Sequence, residues 1–281
     1  SIAALAEGDS ILSGDESLKK RPIGELIDGL KQLGVKTSYT KKKGFPPIRI
    51  VGKSFIGGRC EFSGKESSQY ISSIMIASPY AKRDVTIDVI GSISSKPYID
   101  ITIDIMKSFG VNVVHNNYEH FFIKSNQRYS PMKYYIGGDA SSASYFFAAA
   151  AISSGKITVE NINPNSAQPD IRFADILEKM GCTIIRRENE IEVKGPEALK
   201  IIEVDMNEMP DSVPALCIVA AFAKGKSIIK NIGHLRLKES DRIKAISREL
   251  KKTGIITEET KDSITIYGGR SKGNVEIETY D

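Results

Sequence analysis

Four segments of this chain repeat one pattern, and an internal period of this size dictates architecture before any local propensity does. In each, an amphipathic helix signal ends in glycine. The segments run from Arg21-Pro22-Ile23-Gly24 to Leu33-Gly34, from Lys96-Pro97-Tyr98-Ile99 to Phe109-Gly110, from Gln168-Pro169-Asp170-Ile171 to Met180-Gly181, and from Ser240-Asp241-Arg242-Ile243 to Thr253-Gly254. The closing glycines stand at 34, 110, 181 and 254, in steps of 76, 71 and 73 residues. Three of the four helices open on proline, whose missing N–H would be unpaired there anyway, and the glycine accepts the left-handed cap. Two β-branched or alternating stretches joined by a polar turn follow each glycine, as in Cys182-Thr183-Ile184-Ile185 and Glu190-Ile191-Glu192-Val193, which reads as a hairpin.

Upstream of the later helices lies a more apolar helix and then a strand: Tyr70 to Ser78 and Val85 to Val89, Ala143 to Ile152 and Lys156 to Val159, Pro214 to Phe222 and Ser227 to Ile229. The unit is therefore βαβαββ, an α/β module that must pack on neighbours to bury its apolar faces. Its repetition implies two similar domains, 1–137 and 138–281, with a hinge at the flexible pair Gly137-Gly138. By the same period, Ser1 to Glu7 reads as the tail of a first helix and Val275 to Tyr280 as the first strand of a further unit. The chain is expected to be cut inside a repeat at both ends.

Composition narrows the chemistry. With 281 residues and 41% hydrophobic content, a large core is affordable. A net charge of +4 with dispersed Lys and Arg does not make a nucleic-acid footprint and suits a small anionic ligand better. Cys60, Cys182 and Cys217 are far apart and only three histidines are present, which suggests neither a zinc site nor a disulfide framework but reduced thiols. No window approaches the roughly 20 apolar residues of a membrane span, and the N-terminal stretch lacks a basic signal-peptide region. The expectation is a soluble, cytoplasmic protein without membrane or nucleic-acid partners.

The densest chemistry is the run His234-Leu235-Arg236-Leu237-Lys238-Glu239-Ser240-Asp241-Arg242. Ser240-Asp241 reads as a helix start, and the positive end of the helix dipole favours anions there. Arg236, Lys238 and Arg242 thus look aimed at phosphate or carboxylate, with Glu239 as a proton carrier among them; the plainer alternative is a solvated charged helix start. Glu66-Ser67-Ser68-Gln69 puts two hydroxyls and an amide at another helix N-terminus, which suits a phosphate, although Ser67 or Ser68 could simply cap the helix. Ser94-Ser95-Lys96-Pro97-Tyr98 repeats polar groups at the equivalent strand-to-helix junction. Asp211, after Met209-Pro210, is either an N-cap or a carboxylate at the sheet end. Gly138-Asp139-Ala140-Ser141-Ser142-Ala143 opens its helix with a cap and small packing residues. Arg21 is either an anion clamp partner of Arg242 or a solvated member of Lys19-Lys20-Arg21.

The wording Leu235-Arg236-Leu237-Lys238-Glu239-Ser240-Asp241-Arg242, together with Gly138-Asp139-Ala140-Ser141-Ser142-Ala143-Ser144-Tyr145-Phe146, Arg21-Pro22-Ile23-Gly24 and Ser67-Ser68-Gln69-Tyr70, resembles the 5-enolpyruvylshikimate-3-phosphate synthase family over essentially the whole chain. That resemblance implies the enolpyruvyl transferase fold, an inside-out α/β barrel of two domains closing on shikimate 3-phosphate and phosphoenolpyruvate. It implies transfer of the enolpyruvyl (1-carboxyvinyl) group from phosphoenolpyruvate to the shikimate hydroxyl, with release of phosphate, in aromatic amino acid biosynthesis. Carried over by position, Ser67, Ser68, Gln69, Ser95, Tyr98, Asp211, His234 and Lys238 contact shikimate 3-phosphate, and Arg21, Gln69 and Arg242 hold phosphoenolpyruvate. Asp211 takes the proton from the attacking hydroxyl and Glu239 protonates the methylene carbon. No metal or organic cofactor is implied, and a monomer is expected.

The resemblance has departures. The family has Asn where His234 stands, and several of its anion-binding groups fall outside this chain, so the chain alone is expected to be inactive or nearly so. Two other readings compete. One is the related transferase acting on UDP-N-acetylglucosamine, which carries a reactive cysteine in a domain loop. The other is a non-catalytic anion-binding fragment of the same fold.

Overall fold

A computed structural model describes residues 1–63, 67–91, 93, 95–269 and 271–280. Glu66 and Ser94, both in motifs noted above, lie outside the described residues. The chain divides into two compact units, Ser1–Tyr134 and Tyr135–Asp281. Each is a mixed α/β body with its own core.

The first unit begins with β1 (Asp9–Leu12), α1 (Glu16–Lys20), α2 (Gly24–Gln32), β2 (Thr37–Tyr39) and β3 (Ile48–Val51), whose strands form an antiparallel sheet in the order β1-β3-β2. It continues with a complete βαβαββ copy: β4 (Gly58–Phe62), α3 (Ser68–Ala77), β5 (Val85–Val89), α4 (Lys96–Ser108), β6 (Val113–Asn116) and β7 (His120–Ile123). The sheet order is β4-β5-β7-β6. β4 and β5 run parallel, with Gly58 opposite Val85 and Phe62 opposite Val89, because the crossover between them is a helix. Ile71, Ile74, Met75, Ile87, Ile99 and Phe121 are fully buried between helices and sheet.

The second unit opens with α5 (Ala140–Ile152), β8 (Lys156–Glu160), α6 (Phe173–Lys179), β9 (Thr183–Arg187) and β10 (Glu190–Lys194), giving the sheet β8-β10-β9. A second complete copy follows: β11 (Glu203–Asp205), α7 (Val213–Phe222), β12 (Gly225–Lys230), α8 (Arg242–Lys252), β13 (Ile256–Glu259) and β14 (Ile264–Gly268). Its order β11-β12-β14-β13, with β11 and β12 parallel, reproduces that of the first unit strand for strand. Its core gathers Phe147, Phe173, Leu177, Leu216, Val219, Ile229 and Ile266. α7 buries Val213, Leu216, Cys217, Val219 and Ala220 in that core and leaves Ile218 and Phe222 exposed; no helix among the described residues is long and apolar enough to cross a membrane.

The repeating glycines do what the period requires of them. Gly34, Gly110, Gly181 and Gly254 have φ of +82, +88, +105 and +83°, the left-handed region open to glycine at little cost. The sheets among the described residues are open three- and four-stranded sheets. Two sequence expectations need correction. Val275 to Tyr280 is not a strand: it lies along α8, with the Glu278 N–H and the Tyr280 hydroxyl both donating to Glu249 (3.0 and 2.7 Å). Gly138 is clasped rather than free, since its N–H donates to the Asn161 carbonyl and an added Cβ would stand 2.7 Å from that oxygen.

Two expectations follow. Asp88 is buried on β5 and accepts from His120 on β7 and from Arg59 on β4. Burial alone would raise its carboxyl, but those two donors outweigh it and hold it below the usual carboxylate range. A depressed folded value stabilises the fold above the unfolded value, about 3.9, and that contribution is lost as pH falls through the folded one. Asp88→Asn should therefore cost about 1–2 kcal/mol near neutrality, with the gap to wild type closing in urea titrations below about pH 4. Second, burial pushes the Cys60 and Cys182 thiols up to about 12 and 11, and raises Cys217 too. Because the thiolate is the nucleophile, all three cysteines should resist an aromatic disulfide reagent in the folded chain and react together in denaturant.

Candidate active site

In each complete copy, two parallel strands end side by side and each hands the chain to a helix N-terminus. Open α/β sheets bind ligands outside such carboxyl ends. The polar residues singled out in sequence cluster at these junctions.

In the first unit, Ser67 caps α3, its side chain accepting from the Gln69 N–H at 3.2 Å. Ser67 therefore performs the capping role that its sequence position allowed, which leaves the first turn with backbone donors and the positive dipole end. Ser68 is buried, and Gln69 is exposed one residue further on. The start of α2 is tied to this helix by the Tyr70 hydroxyl, which donates to the Pro22 carbonyl at 2.5 Å. Arg21, half-buried immediately before Pro22, is thereby fastened beside the opening of α3. Ser95 stands at the matching start of α4, buried, with φ +60°. Left-handed backbone at a non-glycine residue is strained and concentrates at functional positions. Tyr98 follows within the same turn, its N–H donating to the Ser95 carbonyl. The hydroxyls of Ser72 and Thr102, 2.8 Å apart, hold α3 and α4 together, so Arg21, Ser67, Ser68, Gln69, Ser95 and Tyr98 share one end of this unit.

Sequence reasoning missed two parts of this end. Tyr70 reads in sequence as the start of an apolar helix, and its hydroxyl makes the tie to the Pro22 carbonyl. Beside α4, a cavity of about 370 Å³ is lined by Val89, Gly91, Ile93, Lys96, Asn117, Tyr118 and Glu119. The Lys96 ammonium lies 5.2 Å from the centre of the Tyr118 ring; the sequence hint is Asn116-Asn117, a pair suited to the left-handed backbone that Asn117 and Tyr118 adopt.

In the second unit the corresponding junctions carry opposite charges in contact. Asp211 lies in the single 3-10 turn Pro210–Ser212 between β11 and α7. Arg242 is the first residue of α8, after β12, and Glu239 precedes it by three. One guanidinium serves both acids: its Nη1 donates to Asp211 Oδ1 at 2.9 Å and its Nη2 to Glu239 Oε2 at 2.7 Å. Burial would lower the Arg242 value, but the Asp211 bond and the charges of Glu239 and Asp211 raise it. Asp211 thus places a carboxylate at the sheet end, one of the two compatible roles of its sequence position. Asp241 caps α8 by accepting from the Lys244 N–H.

His234 and Lys238 flank this group on the turn Gly233–Leu237 and just after it. Burial first, and then the Lys238 charge, lower the His234 value, with Asp211 partly opposing them, so the imidazole is neutral near pH 7. Its Nε2 is buried with no hydrogen-bond partner among the described residues, an arrangement uncommon enough to call for a reason.

Arg236 corrects the sequence reading. It is not aimed at a ligand. Its guanidinium donates to both oxygens of Asp241 (3.0 and 2.8 Å), to Glu259 (3.0 Å), to the Lys261 carbonyl (3.1 Å) and to the Thr260 carbonyl. With its donors committed inside the fold, it fixes the capping residue of α8 against the β13–β14 hairpin. The Gly138–Ala143 opening is likewise structural: Asp139 accepts from the Ser141 and Ser142 N–H groups, and Gln168 accepts from Ala140 while donating to Gly138.

Comparisons with known proteins bear on the family. A family model described as EPSP synthase (3-phosphoshikimate 1-carboxyvinyltransferase) matches residues 1–281. The 3-phosphoshikimate 1-carboxyvinyltransferase of Buchnera aphidicola subsp. Schizaphis graminum (strain Sg) is 47% identical over 283 residues, covering 100% of this chain and 66% of that protein. That of Proteus mirabilis (strain HI4320) is 43% identical, covering 99% of this chain and 65% of its own length. The chain thus spans just under two thirds of the curated relatives it matches. The solved structure of EPSP synthase from Acinetobacter baumannii superposes with a TM-score of 0.74 at 28% identity, over 97% of this chain and 62% of that one. The family model, the relatives and the shared fold agree, and the chain belongs to the EPSP synthase (3-phosphoshikimate 1-carboxyvinyltransferase) family.

Proposed function

We propose that this chain is part of an enzyme that transfers the enolpyruvyl group of phosphoenolpyruvate to shikimate 3-phosphate and releases phosphate. The observation that carries the reading is the Asp211–Arg242–Glu239 cluster: two carboxylates and one guanidinium held within hydrogen-bond reach. Addition to an enol phosphate followed by loss of phosphate needs a base, an acid and a cation to offset the substrates' charge.

In this reading Asp211 takes the proton from the attacking hydroxyl as its oxygen bonds to the central carbon of phosphoenolpyruvate, and Glu239 delivers a proton to the methylene carbon. Elimination then breaks a C–H bond of the new methyl group, its proton returning to Glu239, as the C–O bond to phosphate breaks, so that phosphate leaves and the double bond is regenerated. Arg242, Arg21 and Gln69 hold phosphoenolpyruvate, the two guanidinium groups offsetting its charge; Ser67, Ser68, Gln69 and Ser95 receive the shikimate phosphate, with Tyr98, Lys238 and His234 on the same substrate. The neutral His234, with its unpartnered Nε2, suits a single hydrogen bond to a hydroxyl. The chain's residues 1–137 and 138–281 are taken as parts of the two domains, in a monomeric cytoplasmic protein. The nucleotide-sugar transferase reading is disfavoured by the three cysteines, which are all buried with raised thiols.

In the full-length gene product, Asp211→Asn and Glu239→Gln should each lower kcat by roughly two to four decades in a coupled phosphate-release assay with both substrates. Wild-type turnover in either variant would remove that residue from the chemistry. Arg242→Lys keeps the charge but loses the two-pronged donor. It should raise KM for phosphoenolpyruvate by at least about tenfold, and an unchanged KM would take Arg242 out of the substrate contact.

A further inference from the structure

Asp170 is a buried acid to which the enolpyruvyl-transfer reading gives no task. It stands in the 3-10 turn Pro169–Arg172 ahead of α6 and is only 2% exposed. Both oxygens of its carboxyl group accept from hydroxyls, Oδ1 from Ser212 at 2.5 Å and Oδ2 from Ser141 at 2.9 Å. Ser212 is fully buried and follows Asp211 directly in the turn Pro210–Ser212. Three separate segments, the openings of α5 and α7 and the turn before α6, thus meet at one side chain.

We propose that Asp170 is a positioning residue for the catalytic base: through Ser212 it fixes the turn that aims Asp211 at the attacking hydroxyl. This rests on the enolpyruvyl-transfer reading, in which Asp211 is that base, and deepens it. A 3-10 turn has three residues per turn, so neighbouring side chains leave its axis about 120° apart. Asp211 accordingly faces Arg242, with 35% of its side chain exposed, while Ser212 points into the core. Rotating the turn moves both side chains together, and the Ser212–Asp170 bond resists that rotation from the inner side.

The surroundings make this tie stiff. Pro169 and Ile171 flank Asp170 and are buried, and Met209 and Val213 flank the Asp211 turn in the same apolar core as Ile171. Apolar packing is non-directional, so it fills the space beneath the turn without setting its angle. A hydrogen bond does set an angle, and away from water it is stronger than at the surface. Asp170 is itself anchored through its neighbours. Gln168, two residues earlier, donates to the Gly138 carbonyl and accepts from the Ala140 N–H, both at 2.8 Å, and Ser141 is the second residue of α5. The Gly138–Ser141 opening, singled out in sequence, therefore reaches the base through Asp170.

Removing the Asp170 carboxyl group would break both ties at once, so the test takes one oxygen from the far end of each bond. In the full-length gene product, Ser212→Ala should lower kcat by about tenfold or more, with KM for shikimate 3-phosphate and for phosphoenolpyruvate within about twofold of wild type. Ser141→Ala, which loosens Asp170 from its other side, should lower kcat by about threefold. Both losses should vanish when the same changes are made in Asp211→Asn, because an absent base cannot be misplaced. Variants that merely unfold more easily would lose the same fraction of turnover in either background, and that result would overturn the proposal. Wild-type kcat in Ser212→Ala would overturn it too. Should Ser212→Ala not fold, Ser141→Ala decides by the same comparison. Wild-type turnover in Asp211→Asn would remove Asp211 as the base, whereas a large loss there with none in Ser212→Ala would strike the role of Asp170 alone.

Discussion

One guanidinium shared between two carboxylates is the interaction on which the candidate site depends. Asp211 and Glu239 come from different strand-to-helix junctions, and without a cation between them, two partly buried acids would repel one another and splay apart. Arg242 removes that repulsion and fixes their spacing. Its own placement is fixed in turn: it is the first residue of α8, whose start is set by the Asp241 cap, which is clamped by Arg236 and the β13–β14 hairpin. The chain of support runs from the β13–β14 hairpin through Arg236 to Arg242.

The module explains why the groups meet there. A parallel strand pair with two crossover helices presents two helix N-termini at one sheet end, and the same construction appears in both units. In the first unit it gathers hydroxyls, an amide and Arg21, groups suited to a phosphate ester. In the second it gathers acids, a guanidinium and an imidazole, groups suited to moving protons. One architecture serves both purposes because the positive end of each helix and its spare backbone donors come with the fold, leaving the side chains to decide the chemistry.

Much of this was legible before any coordinates. The glycine period, the βαβαββ unit and the clustering of polar residues at strand-to-helix junctions follow from local pattern, because left-handed caps and amphipathic faces leave marks within a few residues. What was not legible depends on distant partners. Arg236 and Arg242 look alike in sequence, six residues apart in one charged run. They differ because Asp241, Glu259 and two hairpin carbonyls consume the donors of Arg236, whereas Arg242 meets Asp211 across 31 positions. The Tyr70–Pro22 tie that fastens Arg21 beside α3 spans 48 positions and has no local signature. Val275 to Tyr280 has strand-like alternation, but strand formation requires a partner edge, and among the described residues that stretch instead bonds to Glu249.

The central claim, that Arg242 and Asp211 are energetically coupled rather than merely adjacent, is tested most directly by a double-mutant cycle on urea unfolding with Asp211→Asn, Arg242→Gln and the pair. With about a third of Asp211 exposed, solvent screening limits the interaction, and a favourable coupling of about 1 kcal/mol is expected. Strictly additive effects would mean that the guanidinium does not hold the two acids, contradicting the basis of the site.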